Sequence, residues 1–216
     1  MAAAGKTVAE ERTFTLGPIS RSDARTGRPG AVTILRAAAP PLHAGGTLNL
    51  LIIRHAVAED RETFAEQGKD DSLRPLTDAG RRKMQRAARG LQCMVPSVSV
   101  IGTSPFVRAA QTAQIVGKVY RAAAIVPVDA LTPDGQPNDF LAWLESQPTV
   151  APVVAIGHEP HLGSLVWWLL TGERDEGRIQ FRKGGACLLE FADRPRAGSA
   201  ALVWAIPPGA LRRLAG

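Results

Sequence analysis

The chain has 216 residues, 45% apolar and 21% charged, which suits one ordinary globular domain with an extension. No apolar run approaches the roughly 20 residues that span a bilayer, and no signal-peptide pattern opens the chain. Cys93 and Cys187 form no CxxC pair, so a zinc knuckle or a disulfide framework is not implied and a reduced, cytoplasmic protein is expected. The net charge is +6, but in residues 1–47 Lys6, Arg12, Arg21, Arg25, Arg28 and Arg36 outnumber Glu10, Glu11 and Asp23 by three. The rest of the excess is spread thinly, without a basic patch interleaved with aromatics, which argues against nucleic-acid binding.

Residues 1–47 are rich in Ala, Gly, Pro and Arg, and 37–46 read as a linker. This segment is expected to be an extension, disordered or loosely attached, to a domain over 48–216. The apolar run from Leu48 to Ile53 reads as a buried strand of a parallel sheet, and it ends in Arg54-His55. A polar loop over 59–72 follows. Thr77 supplies an N-cap hydroxyl and Asp78 a first-turn acid for a helix to about Gln92, whose Arg81, Arg82, Lys83 and Arg86 form a solvated face. Residues 98–102 form a second strand. Ser104-Pro105 then starts a helix to about Tyr120, the hydroxyl capping and the ring taking the first helical position.

Residues 124–128 are a third strand, and Asn138 caps a short helix through Leu144. Residues 152–156 form a fourth strand, stopped by Gly157-His158-Glu159-Pro160, before an apolar helix over 161–170. Within that helix Trp167 and Trp168 are core or part of a docking face. Residues 186–191 and 200–206 close the chain as strands that need not be parallel to the rest. Strands alternating with helices predict a three-layer α/β/α sandwich around a mainly parallel mixed sheet.

Three strand ends carry the chemistry. Ligands of open α/β sheets bind beyond the carboxyl ends of the strands, where this chain places Arg54-His55, Ser104-Pro105 and Gly157-His158. Arg108, in the first turn of its helix, leans back to the same edge. Two arginines, two histidines and helix amides facing one point make a pocket for a dianion such as phosphate. Taken singly, each has a plain alternative: an arginine that ends a strand or pairs with a carboxylate, a histidine satisfied in a loop. Their joint placement favours the functional reading. His158 and His161 share the i, i+3 spacing of metal ligands, but Pro160 lies between them and no third ligand is near, so no metal is expected. Cysteine in a Gly-rich loop and a G-x-S-x-G elbow are both absent, and no cofactor is expected.

Arg-His-Ala at 54–56, Arg-Pro-Leu-Thr at 74–77, the run from Thr103 to Thr112 and Gly-His-Glu-Pro at 157–160 resemble the histidine phosphatase (phosphoglycerate-mutase-like) superfamily. The resemblance spans about residues 48–208 and is nearest the SixA-type phosphohistidine phosphatase branch. It implies a fold without a large helical cap, because only 50 residues separate Arg108 from His158. It implies that His55 attacks phosphorus and becomes a phosphohistidine, while Arg54, Arg108 and a protonated His158 hold the oxygens. Ser104 is a further phosphate-binding candidate, and Asp71 is the first candidate for a general acid, ahead of Glu59, Asp60, Asp134 and Glu159. The implied substrate is phosphohistidine on a protein of the histidine-phosphotransfer type. The alternatives are a small phosphorylated metabolite and a non-catalytic phosphate-binding module; no nucleic-acid or membrane partner is expected.

Overall fold

A computed structural model describes residues 47–148, 150–174 and 179–216. The expected extension therefore lies, up to residue 46, outside the described residues. The described strands form one six-stranded sheet in the order β3-β2-β4-β1-β5-β6. These strands are β1 (Leu48–Arg54), β2 (Val100–Thr103), β3 (Ala124–Pro127), β4 (Val153–Gly157), β5 (Ala186–Phe191) and β6 (Ala200–Ile206). The first four are mutually parallel, β5 runs antiparallel to β1, and β6 antiparallel to β5.

The continuous apolar run of β1 is explained by burial on both faces. Leu51 and Ile53 point to one core with Val154 and Ile156. There they meet Met84, Ala87 and Leu91 of α2 (Asp78–Met94) and Ala109, Ala113 and Val116 of α3 (Val107–Gly117). Leu50 and Ile52 point to the other core with Val153 and Ala155. That side is covered by Phe140 and Leu144 of α4 (Pro137–Glu145) and by Leu162, Leu165 and Leu169 of α5 (His161–Thr171). Three layers result, as the alternation of elements predicts.

Several boundaries differ from expectation, each for a local reason. Thr77 caps α2 as expected, its Oγ1 accepting from the Gly80 amide at 2.9 Å. Ser104 does not cap α3. Its amide donates to the Ile156 carbonyl at 2.9 Å, which holds it on the sheet, and the helix begins three residues later behind Phe106. Tyr120 lies beyond α3; it is buried, and its hydroxyl donates to the Val95 carbonyl at 2.7 Å. Pro137 occupies the first turn of α4 after Gln136, so Asn138 is inside the helix rather than its cap.

Two helices were not legible in the sequence. The polar loop contains α1 (Arg61–Ala65), capped by the Asp60 carboxylate on the Glu62 and Thr63 amides and anchored by buried Phe64. The C-terminus forms α6 (Pro208–Leu214), which buries Leu211 against α2.

Candidate active site

The parallel register brings the predicted strand ends to one edge. Arg54 lies opposite Gly157, and Thr103 opposite Ile156. One residue further on, the His55 amide donates to the Gly157 carbonyl at 3.0 Å. The rings of His55 and His158 stand 5.0 Å apart, tilted by 52°. The Arg108 guanidinium lies over the Phe106 ring at 5.0 Å, and that ring is 5.2 Å from His158. His55, Arg108 and His158 are all buried, at 5%, 4% and 2% exposure.

Hydrogen bonding sets the state of His55. Its Nδ1 is 2.7 Å from the Ala56 carbonyl oxygen. A carbonyl only accepts, so Nδ1 carries the proton and Nε2 keeps its lone pair. Burial pushes the imidazole pKa down to about 3. The Ala56 carbonyl opposes this in part, while the charges of Arg108, Arg54 and Lys183 add to it. At neutral pH the ring is an uncharged nitrogen base pointed by its own backbone.

His158 is pushed lower still, to about 2, first by burial and then by His55 and Arg108, with Asp71 opposing. With these neighbours and no bound anion the ring is neutral; the protonated His158 expected from the sequence concerns the phosphate-bound state. An anion against it would shift the balance toward the protonated form, because opposite charge favours that form.

Asp71 and Ser104 are each tied to another site residue. The Asp71 carboxylate accepts from Arg74 Nε at 2.8 Å and meets Arg108 Nη2 at 3.0 Å and Arg61 Nε at 3.7 Å. Its backbone oxygen accepts from Arg108 Nη1 at 2.7 Å. Burial raises its pKa, but the Arg74 hydrogen bond and the arginine charges outweigh burial and hold it below the usual carboxylate value. An ionised carboxylate clamped by guanidinium groups is a poor proton donor, and both the carboxylate and the backbone oxygen of Asp71 hold Arg108. The Ser104 hydroxyl, fully buried, lies 2.9 Å from His158 Nε2 and accepts from the Phe106 amide at 3.3 Å. It orients His158.

Three buried nitrogens of this cluster, Nε of Arg54, Nε of Arg108 and Nδ1 of His158, have no hydrogen-bond partner among the described residues. A buried unpaired polar group costs about 1–3 kcal/mol. Three on one site share a chemical remedy, since the oxygens of a phosphoryl group would accept from all of them.

Sequence reasoning passed over the residues that hold these groups in place. Thr112 is buried; its hydroxyl donates to the Arg108 carbonyl at 2.7 Å and accepts from the Ala56 amide at 3.1 Å, tying α3 to the backbone after His55. Gln111 Oε1 accepts from the Leu76 amide at 2.8 Å. Both lie in the motif over 103–112, but only the fold reveals what they tie. The segment before β5 closes the other side. Gly184, at φ +78°, donates its amide to the carbonyls of Arg54 and His55 at 3.1 Å, a conformation open to glycine. The Phe181 carbonyl accepts from Arg54 Nη1 at 2.5 Å, and the Phe181 amide donates to Glu159 Oε1 at 2.7 Å. Burial raises the Glu159 pKa, and the Phe181 amide and then the charge of Arg54 partly offset this. A cleft of about 500 Å³ opens here, lined by Arg54, Glu159, Gln180, Phe181 and Arg182 among others. The two histidines considered as metal ligands point apart in role: His161 Nε2 donates to the Ala130 carbonyl at 2.9 Å.

Residues 50–132 match the model of the histidine phosphatase superfamily (branch 1). An uncharacterized protein of Picosynechococcus sp. is 32% identical over 155 residues, 68% of this chain and 92% of the relative. Phosphohistidine phosphatase SixA of Escherichia coli (strain K12) is 33% identical over 131 residues, 58% of this chain and 76% of the relative. The solved structure of the protein histidine phosphatase SixA complexed with tungstate superposes with a TM-score of 0.61 at 29% identity, covering 76% of this chain and 99% of that one.

Proposed function

The chain belongs to the histidine phosphatase superfamily, in its SixA-type branch, and from that premise we propose that this phosphatase removes phosphate from phosphohistidine on a protein. The observation that carries the proposal is the set of three unpaired buried nitrogens on Arg54, Arg108 and His158, arranged around a His55 whose Nε2 is unprotonated.

His55 Nε2 attacks phosphorus in line, and the bond from phosphorus to the substrate imidazole breaks as the bond to His55 forms. With its second ring nitrogen already protonated, the substrate ring departs as neutral imidazole. Water then attacks phosphorus, inorganic phosphate leaves, and His55 regains its starting form. Arg54 and Arg108 meet the charge on the oxygens, and His158, taking a proton from solvent as the dianion binds, donates to them. The clamped state of Asp71 favours this substrate class. An imidazole leaves near neutrality without a strong acid, whereas an alkoxide requires a delivered proton.

One observation favours a second reading, hydrolysis of a small phosphomonoester: Glu159, beside Arg54 in the cleft, has a carboxyl whose pKa is raised by burial. The two readings separate when the enzyme is given a phosphohistidine peptide and a panel of alkyl phosphate esters. Faster turnover of the peptide supports the first, and faster turnover of an ester overturns it. Quenching with labelled peptide is expected to trap acid-labile phosphate on His55 and none in His55→Ala. Label on another residue refutes the covalent assignment.

A further inference from the structure

Between α2, α6 and the segment before β5, beside the backbone that follows His55, lies a second pocket of about 190 Å³. We infer that this pocket, bounded by Lys83, Lys183 and Arg212, is a subsite for a carboxylate side chain flanking the phosphohistidine of a protein substrate. The inference rests on the phosphohistidine reading above and adds a recognition element to it.

The pocket is built against the reacting group. Its wall includes Ala56, whose carbonyl holds His55 Nδ1, and Gly184, whose amide donates to the Arg54 and His55 carbonyls. Lys183 lies within the electrostatic reach of His55, so the pocket and the cradle share one cation. Its floor is apolar, formed by buried Met84 and Ala87. No acidic residue lines it.

Its charges are uncompensated. Among the described residues the ion pairs engage Arg61, Arg74, Arg108 and Arg194, and none involves Lys83, Lys183 or Arg212. Burial and the charges of Arg54, Arg74 and Arg108 all disfavour the ammonium of Lys183, with Asp60 a smaller offset. Three cations lining one pocket, with no carboxylate among its lining residues, would be stabilised by an anion from outside.

Size selects the anion. At about 190 Å³ the space holds roughly six waters' worth of volume at about 30 Å³ each. Sites for whole small molecules run about 300–1,000 Å³. A carboxylate side chain suits the space; a nucleotide does not.

The test uses the full chain and two series of phosphohistidine peptides, one carrying a single Glu scanned from four residues before to four after the phosphohistidine, the other carrying Gln at the same places. The reading is the ratio of kcat/KM for each Glu–Gln pair, which cancels any change in basal turnover between enzymes. Exposed charge pairs are modest individually, so two or three cations predict a preference for Glu of about fivefold at one or two positions. That preference should shrink at high salt and fall to about one in Lys83→Ala/Arg212→Ala. Wild type that cleaves both series equally at every position overturns the subsite while leaving the phosphohistidine reading intact. A preference that survives the double substitution also overturns it. Wild type that cleaves no phosphohistidine peptide overturns both readings.

Discussion

Replacing Asp71 by Asn separates positioning from proton donation. Asp71 gives one carboxylate oxygen to Arg74 at 2.8 Å and the other to Arg108 at 3.0 Å, and its backbone oxygen to Arg108 at 2.7 Å. The substitution keeps the backbone bond and one side-chain acceptor but removes the charge. A hydrogen bond to a charged group contributes about 1.5–3 kcal/mol. The Asp71 side chain is 33% exposed, so solvent screening places the loss at the low end, about 1.5 kcal/mol. That corresponds to roughly tenfold in kcat/KM. A positioning role predicts the same loss for phosphoramidate, whose leaving group needs little help, and for an alkyl phosphate, whose leaving group needs a proton. The assay is phosphate release from both substrates by wild type and Asp71→Asn. A loss above a hundredfold on the alkyl ester with phosphoramidate spared would refute the positioning argument. Stability supplies an independent readout. Because the folded-state pKa of Asp71 lies below its unfolded value, the pairing stabilises the protein above about pH 4 and is lost as pH falls through the folded value. The Tm gap between wild type and variant is expected to be widest near neutrality and to narrow as pH falls below about 4.

Three further outcomes are expected. With the His55 pKa lowered to about 3, kcat/KM for the free enzyme should show no loss of nucleophile between pH 8 and pH 5, and an inflection near 6.5 assignable to His55 would contradict its burial. Ser104→Ala removes the 2.9 Å bond to His158, which should lower kcat about fivefold, in line with about 1 kcal/mol for one neutral hydrogen bond; unchanged kinetics would show that His158 is oriented otherwise. Gly80→Ala would drive a Cβ into the Val57 carbonyl just after the nucleophile, and overpacking of this kind costs about 1–3 kcal/mol, so thermal unfolding should show a lower Tm; an unchanged Tm would mean that the 56–58 backbone yields freely.

Much of the sandwich was legible in the sequence, because short apolar runs bounded by polar residues read as strands while the longer apolar run over 161–170 reads as a helix, a distinction of length and flanking residues. The two antiparallel strands at the end were read with the bounds the structure has, 186–191 and 200–206. α1 escaped because its five residues bury one side chain, too few for a periodic pattern. α6 escaped because two prolines precede its single buried leucine. At the site, the expected residues Arg54, His55, Arg108 and His158 were visible as a motif at strand ends, and the parallel register brings them together. Asp71 and Ser104 were visible as residues but not in their partnerships. A carboxylate at 71 reads equally as acid or clamp until its distances to Arg74 and Arg108 are known.

What the sequence determined alone was the alternation of buried strands and amphipathic helices and the chemistry available at three strand ends, since periodicity and residue type are local properties. Only the tertiary structure decided which histidine nitrogen is free, which carboxylate is spent on an arginine, and which cations stand unpaired beside the nucleophile. Those depend on distances between segments far apart in the chain, such as Asp71 to Arg108 or Ser104 to His158. Burial and neighbouring charge, which set proton affinity, exist only once the chain has closed around them.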